Sequence, residues 1–67
     1  MYQVGDIVRA FHPRRFGVTN SGRVERVGRK YLQLDFGDGL GGIYRVPLRD
    51  VVEIIASANQ PNSRAGL

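Results

Sequence analysis

Five short runs of strand-forming residues, each cut off by Gly, Pro, Asn or a charged turn, recur along this chain, and none of them carries a helical period. The clearest is Tyr31-Leu32-Gln33-Leu34-Asp35-Phe36, where Leu32, Leu34 and Phe36 fall on one side and Tyr31, Gln33 and Asp35 on the other. Strict alternation of this kind marks a half-buried strand. The first run, Ile7 to Phe11, is entered through Val4-Gly5-Asp6 and puts Val8 and Ala10 on one face. A long loop from His12 to about Ser21 separates it from a second strand, Gly22 to Val27, and the turn Gly28-Arg29-Lys30 leads into Tyr31. A fourth strand covers Ile43 to Val46. Pro47-Leu48-Arg49-Asp50 then makes a single 3-10 turn before a fifth strand, Val51 to Ile55. Val24 and Val27 are three apart and cannot share a face of a regular strand, so a bulge or bend is expected near Arg26. The inward phases predict a core of Val8, Ala10, Val24, Leu32, Leu34, Phe36, Val46, Leu48 and Val51.

The stretch Gly37-Asp38-Gly39-Leu40-Gly41-Gly42 contains G-x-G-x-x-G, the glycine spacing of a pyrophosphate-cradling loop. That chemistry needs a strand before the loop and a helix N-terminus after it, within a unit of roughly thirty residues. The next residues here are Ile43-Tyr44-Arg45-Val46-Pro47, β-branched and aromatic with a proline that stops a helix early. The glycines are expected to serve a hairpin connection instead.

With 67 residues and no cysteine, the chain has room for one small core and no disulfide or thiolate metal site. The lone His12 has no partner at metal-binding spacing and, beside Pro13, reads as an exposed loop residue. No metal or cofactor is expected. The N-terminus lacks a basic segment followed by an apolar run, and no stretch approaches the ~20 apolar residues of a membrane span, so a cytoplasmic protein without membrane contact is expected. From residue 57 onward the sequence is small, polar and aperiodic. This divides the chain into a folded unit, 1–56, and a disordered tail, 57–67.

Ten Lys and Arg against six Asp and Glu give a net charge of +4, and nine of the ten cations are arginine. Guanidinium groups grip phosphate bidentately and stack on bases, so the balance favours an anionic partner. The run Phe11-His12-Pro13-Arg14-Arg15-Phe16 interleaves cations with rings, and Arg29 and Lys30 occupy the next turn. Arg14, Arg15, Phe16, Arg29 and Lys30 are therefore the candidate contact set, with Arg23, Arg26 and Arg45 at its periphery.

The order of strands and turns describes an all-β, five-stranded small barrel. Val4-Gly5-Asp6-x-Val8-x-Ala10, Gly22-Arg23-Val24, Leu34-x-Phe36-x-Asp38 and Val46-Pro47-Leu48-x-Asp50-Val51 resemble the Tudor and KOW-type branch of SH3-like barrels over Val4 to about Ile54. The resemblance implies a binding module for RNA, DNA, methylated peptides or RNA polymerase. A methyl-peptide cage needs several rings around one cation. Where the Tudor pattern has F-x-D-Y-G, this chain has Phe36-Gly37-Asp38-Gly39-Leu40 and lacks the second aromatic. Tyr31 and Tyr44 are then expected to cover the outer sheet surface.

Two further resemblances offer other functions. Val8-Arg9-x-x-x-Pro13 with Gly22-x-Val24-x-x-Val27 resembles the SH3-like accessory subunits of photosynthetic electron transport, which implies docking of a basic face on an acidic protein. Gly42-Ile43-Tyr44 resembles the V-Q-I-Y strand of the plasmid-borne type II dihydrofolate reductases. Gly42 replaces the glutamine, however, and the family's pore lysine falls near Ala10 or Phe11. No Ser-His-Asp, Cys-His or paired-carboxylate arrangement is present, so the expected protein is not an enzyme. The leading expectation is a non-catalytic module for nucleic acid or for a protein that handles it.

Overall fold

A computed structural model describes residues 1–37 and 42–58. Five antiparallel strands form one sheet: β1 (Ile7–Phe11), β2 (Thr19–Val27), β3 (Tyr31–Asp35), β4 (Ile43–Pro47) and β5 (Val51–Ala56), in the order β4-β3-β2-β1-β5. A 3-10 turn, η1 (Leu48–Asp50), joins β4 to β5. Compared with expectation, β2 begins earlier, at Thr19, because Asn20 and Thr19 pair with Ala10 and Phe11 and shorten the long loop to 12–18. Most of the expected 57–67 tail, together with Asp38, Gly39, Leu40 and Gly41, falls outside the described residues.

Alternation decides what is buried. Val8, Ala10, Val24, Leu32, Leu34 and Val46 are fully buried, and Phe36, Leu48 and Val51 pack partly exposed against them. The bulge explains how Val24 and Val27 both face inward-phase partners. Val24 pairs with Leu34 and Arg26 with Gln33, leaving Glu25 as the extra residue, so that Val27 comes opposite Leu32. β5 slips twice against β1, which sets Val52 and Ile55 outside the ladder, and both are half-exposed.

The connection η1 constrains the sheet's shape. β4 and β5 are its two outer strands, and in a flat sheet of five they would lie about 19 Å apart, four spacings of ~4.8 Å. Three residues of 3-10 helix advance only about 6 Å, at ~2.0 Å each. The sheet must therefore curl so that its outer strands approach at this end, and the bulges in β2 and β5 supply the bend.

Two polar residues lie in the interior. Asp6 is 1% exposed, and its carboxylate accepts from the Gln3 amide (2.9 Å) and the Ala58 amide (2.7 Å), tying the N-terminal turn to the end of β5. His12 is 3% exposed rather than the exposed loop residue expected. Both continue the inward phase of β1, which runs 6, 8, 10, 12.

Candidate nucleic-acid interface

The loop between β1 and β2 is built from two successive turns. In the first, the Arg15 amide donates to the His12 carbonyl (3.2 Å), with Pro13 at the position where its fixed φ suits a turn. In the second, the Val18 amide donates to the Arg15 carbonyl (3.2 Å), and Gly17 takes φ +76°, a conformation glycine adopts without strain. A bond from the His12 amide to the Val18 carbonyl (2.9 Å) closes the base.

The His12 side chain anchors this loop from below. Its Nδ1 accepts from the Arg14 amide at 3.0 Å. The ring lies 4.6 Å from Phe36 and 4.8 Å from Tyr44, centroid to centroid. Tyr44 therefore packs inward on the core rather than covering the outer surface, because its register partner is the buried Leu34. Tyr31, by contrast, lies outward as expected, with the Arg45 guanidinium 4.7 Å above its ring.

Held this way, the loop opens a groove of about 500 Å³ whose lining includes Phe11, Pro13, Arg14 and Phe16 from the loop side and Asp50 from η1. Phe16 is completely exposed and Phe11 41% exposed, so neither ring is spent on the core. Arg15 belongs to the same loop but does not line the groove.

The second cationic segment reaches η1 from the other side. In the β2–β3 hairpin the Gly28 amide donates to the Tyr31 carbonyl (2.9 Å), and a Cβ at Gly28 would come within 3.0 Å of that oxygen and 3.2 Å of the Tyr31 ring. Glycine is what lets the turn close so tightly. The Lys30 carbonyl in turn accepts from the Leu48 amide (3.0 Å). The two candidate segments thus flank one three-residue turn, although the loop and the hairpin adjoin opposite ends of β2. Arg49, exposed in the middle of η1, adds a cation between them that the sequence pattern does not single out.

The peripheral cations divide. Arg26, Gln33 and Arg45 share one cross-strand row on the outer face of β2, β3 and β4, next to Tyr31 and the hairpin. Arg23 sits 3.7 Å from the Glu25 carboxylate and lines a smaller recess of about 230 Å³ with Asp35 and Phe36, apart from this row. Arg9 is paired with Glu53 across β1 and β5. Among the described residues no carboxylate pairs with Arg14, Arg15, Arg26, Arg29, Lys30 or Arg45. Among the described residues no group of three His, Cys, Asp or Glu could hold a metal ion and no helix is long and apolar enough to cross a membrane.

The glycine-rich stretch does not open a helix: β4 begins at Ile43, directly after Gly42. Gly37 and Gly42 take φ +68° and +94°, and the Gly37 amide donates to the Asp35 side chain two residues back (2.9 Å). Comparison with known protein families, with curated proteins and with solved structures finds no match.

Proposed function

We propose that this chain is a small SH3-like barrel of the Tudor and KOW type that acts as a non-catalytic module binding nucleic acid. The strand order and the short link between the two outer strands support the barrel reading, since a three-residue link joins them only if the sheet bends to bring their ends together. Binding rests on one observation: two cation-bearing segments without acidic partners among the described residues meet at η1, and one of them carries the fully exposed Phe16 beside Arg14 in an open groove. Cations along a groove with one or two free rings are what a single strand requires, phosphate contacts for affinity and a face for stacking.

The test is a titration of labelled single- and double-stranded oligonucleotides at two salt concentrations. Each phosphate contact on a single strand contributes a log-log slope of about −0.7, so three or four contacts give roughly −2 to −3. Arg14→Ala with Arg15→Ala should reduce the magnitude by about one to two units. If the double variant binds as the parent does at low salt, or if the parent binds no oligonucleotide, the reading fails and acidic proteins become the partners to try.

A further inference from the structure

The groove contains a group that phosphate binding does not explain. Asp50 is its only carboxylate among the described lining residues, is partly buried, and makes no hydrogen bond or ion pair through its side chain with any described residue. A carboxylate beside a phosphate site weakens it by like-charge repulsion. A site built for backbone alone would gain nothing from one in that place.

Resting on the nucleic-acid reading above, we infer that this groove selects guanine: a base lies on the exposed rings of Phe16 and Phe11, Asp50 accepts from its edge, and Arg14 holds the neighbouring phosphate. An ionised carboxylate only accepts hydrogen bonds, through two oxygens side by side. It therefore matches a base that presents two adjacent donors. Guanine does so, with N1–H next to the N2 amine. Adenine and cytosine each set one amine beside an acceptor ring nitrogen, and uracil sets its single N–H between two carbonyls. The Watson–Crick edge is available only in an unpaired base, so the ligand is single-stranded. The groove's volume of about 500 Å³ lies within the ordinary range of small-ligand sites, ~300–1,000 Å³. A cationic side chain from a peptide would also satisfy Asp50. It would have to enter beside Arg14 on a chain of net charge +4, and the charge balance favours the nucleotide.

The experiment measures binding of the full chain to the pentanucleotides UUXUU, with X as G, A, C, U or inosine, in ribo and deoxy forms. The expected result is preference for G over A, C and U by at least about fivefold, the lower end of what a bidentate base contact discriminates. Inosine, which keeps N1–H but lacks the N2 amine, should lose most of that preference, and this comparison uses the parent protein alone. Asp50→Asn, checked for folding by circular dichroism, should level the five affinities, while Phe16→Ala should weaken all five by a similar factor. Equal binding of all five by the parent, undiminished binding of inosine, or a G preference that survives Asp50→Asn overturns the inference and leaves the module a nucleic-acid binder. Binding of an arginine-containing peptide with no binding of any pentanucleotide overturns the inference and the functional reading together.

Discussion

The two connections that leave β2 both carry cations, yet they are held in different ways. The loop 12–18 is fixed by a buried side chain: His12 sits under it against Phe36 and Tyr44, accepts from the Arg14 amide, and leaves Phe16 wholly in solvent. The hairpin Gly28–Lys30 is fixed by its backbone, through a turn in which a Cβ at Gly28 would crowd the Tyr31 carbonyl and through a bond from the Leu48 amide to the Lys30 carbonyl. Anchoring from within lets a loop hold exposed rings in a defined groove that it shares with Asp50 of η1, which is what discrimination between ligands needs. A tight turn offers charge alone, with Tyr31 already covered by Arg45.

Both connections adjoin strands that pack on one core, so the largest effect should come from that core. Leu34→Ala removes a fully buried side chain opposite Val24 and should cost roughly 2–5 kcal/mol in denaturant unfolding. Because the core is shared, loop and hairpin amides should lose exchange protection together. A loss below about 1 kcal/mol would mean that the inward phase of β3 carries less of the core than its burial implies.

His12→Ala should separate the two regions. It removes a buried ring and leaves the Arg14 amide without its acceptor, for a loss of about 2 kcal/mol. Exchange should quicken at the Arg15 and Val18 amides, which close the two loop turns, and remain slow at Gly28, whose partner is the Tyr31 carbonyl. Equal quickening at both would show that His12 supports the whole sheet rather than the loop.

The strands, the bulge in β2 and the 3-10 turn were legible because each rests on local chemistry: alternation, a misfit between Val24 and Val27, and Pro47 ahead of a short polar turn. His12 was not, although the signal was there. Its parity matches Val8 and Ala10, but Pro13 and the surrounding arginines gave it the look of a loop residue, and only the fold of the loop back over it makes it interior. Asp6 obeys the same parity and is satisfied by the Ala58 amide, a partner 52 positions away that no local pattern announces. The candidate site was legible as a set of residue types, not as an arrangement. Arg26 and Arg45 become neighbours only through the bulged register with Gln33 between them, and Asp50 and Arg49 join the site only because η1 lies between loop and hairpin.

Gly17→Ala probes the loop through its backbone alone. A Cβ there meets nothing within 4 Å, so the cost is the positive φ, about 1 kcal/mol. Thermal unfolding should register it as a shift of a few degrees for a domain of this size. If the loop's geometry shapes the groove, oligonucleotide affinity should fall as well, and by more than the stability loss explains when the protein remains fully folded.

Arg45→Ala should have the smallest effect on folding and the most informative one on binding. The guanidinium over Tyr31 is exposed, and a cation–π contact in that setting is worth about 0.5–1 kcal/mol. Its cross-strand neighbours, Gln33 and then Arg26, bring no negative charge, so the substitution leaves no buried group unsatisfied and relieves some repulsion between the two arginines. The net loss on urea unfolding should be close to about 0.5 kcal/mol. If the hairpin face supplies only charge, Arg45→Ala should weaken every pentanucleotide by the same factor and reduce the salt slope by about 0.7, one phosphate contact, without altering the order of preference among bases. Uncovering Tyr31 at the same time exposes a stacking face. A variant that binds more tightly at high salt would therefore show that the ring, rather than the arginine above it, is what this side of the molecule offers a ligand.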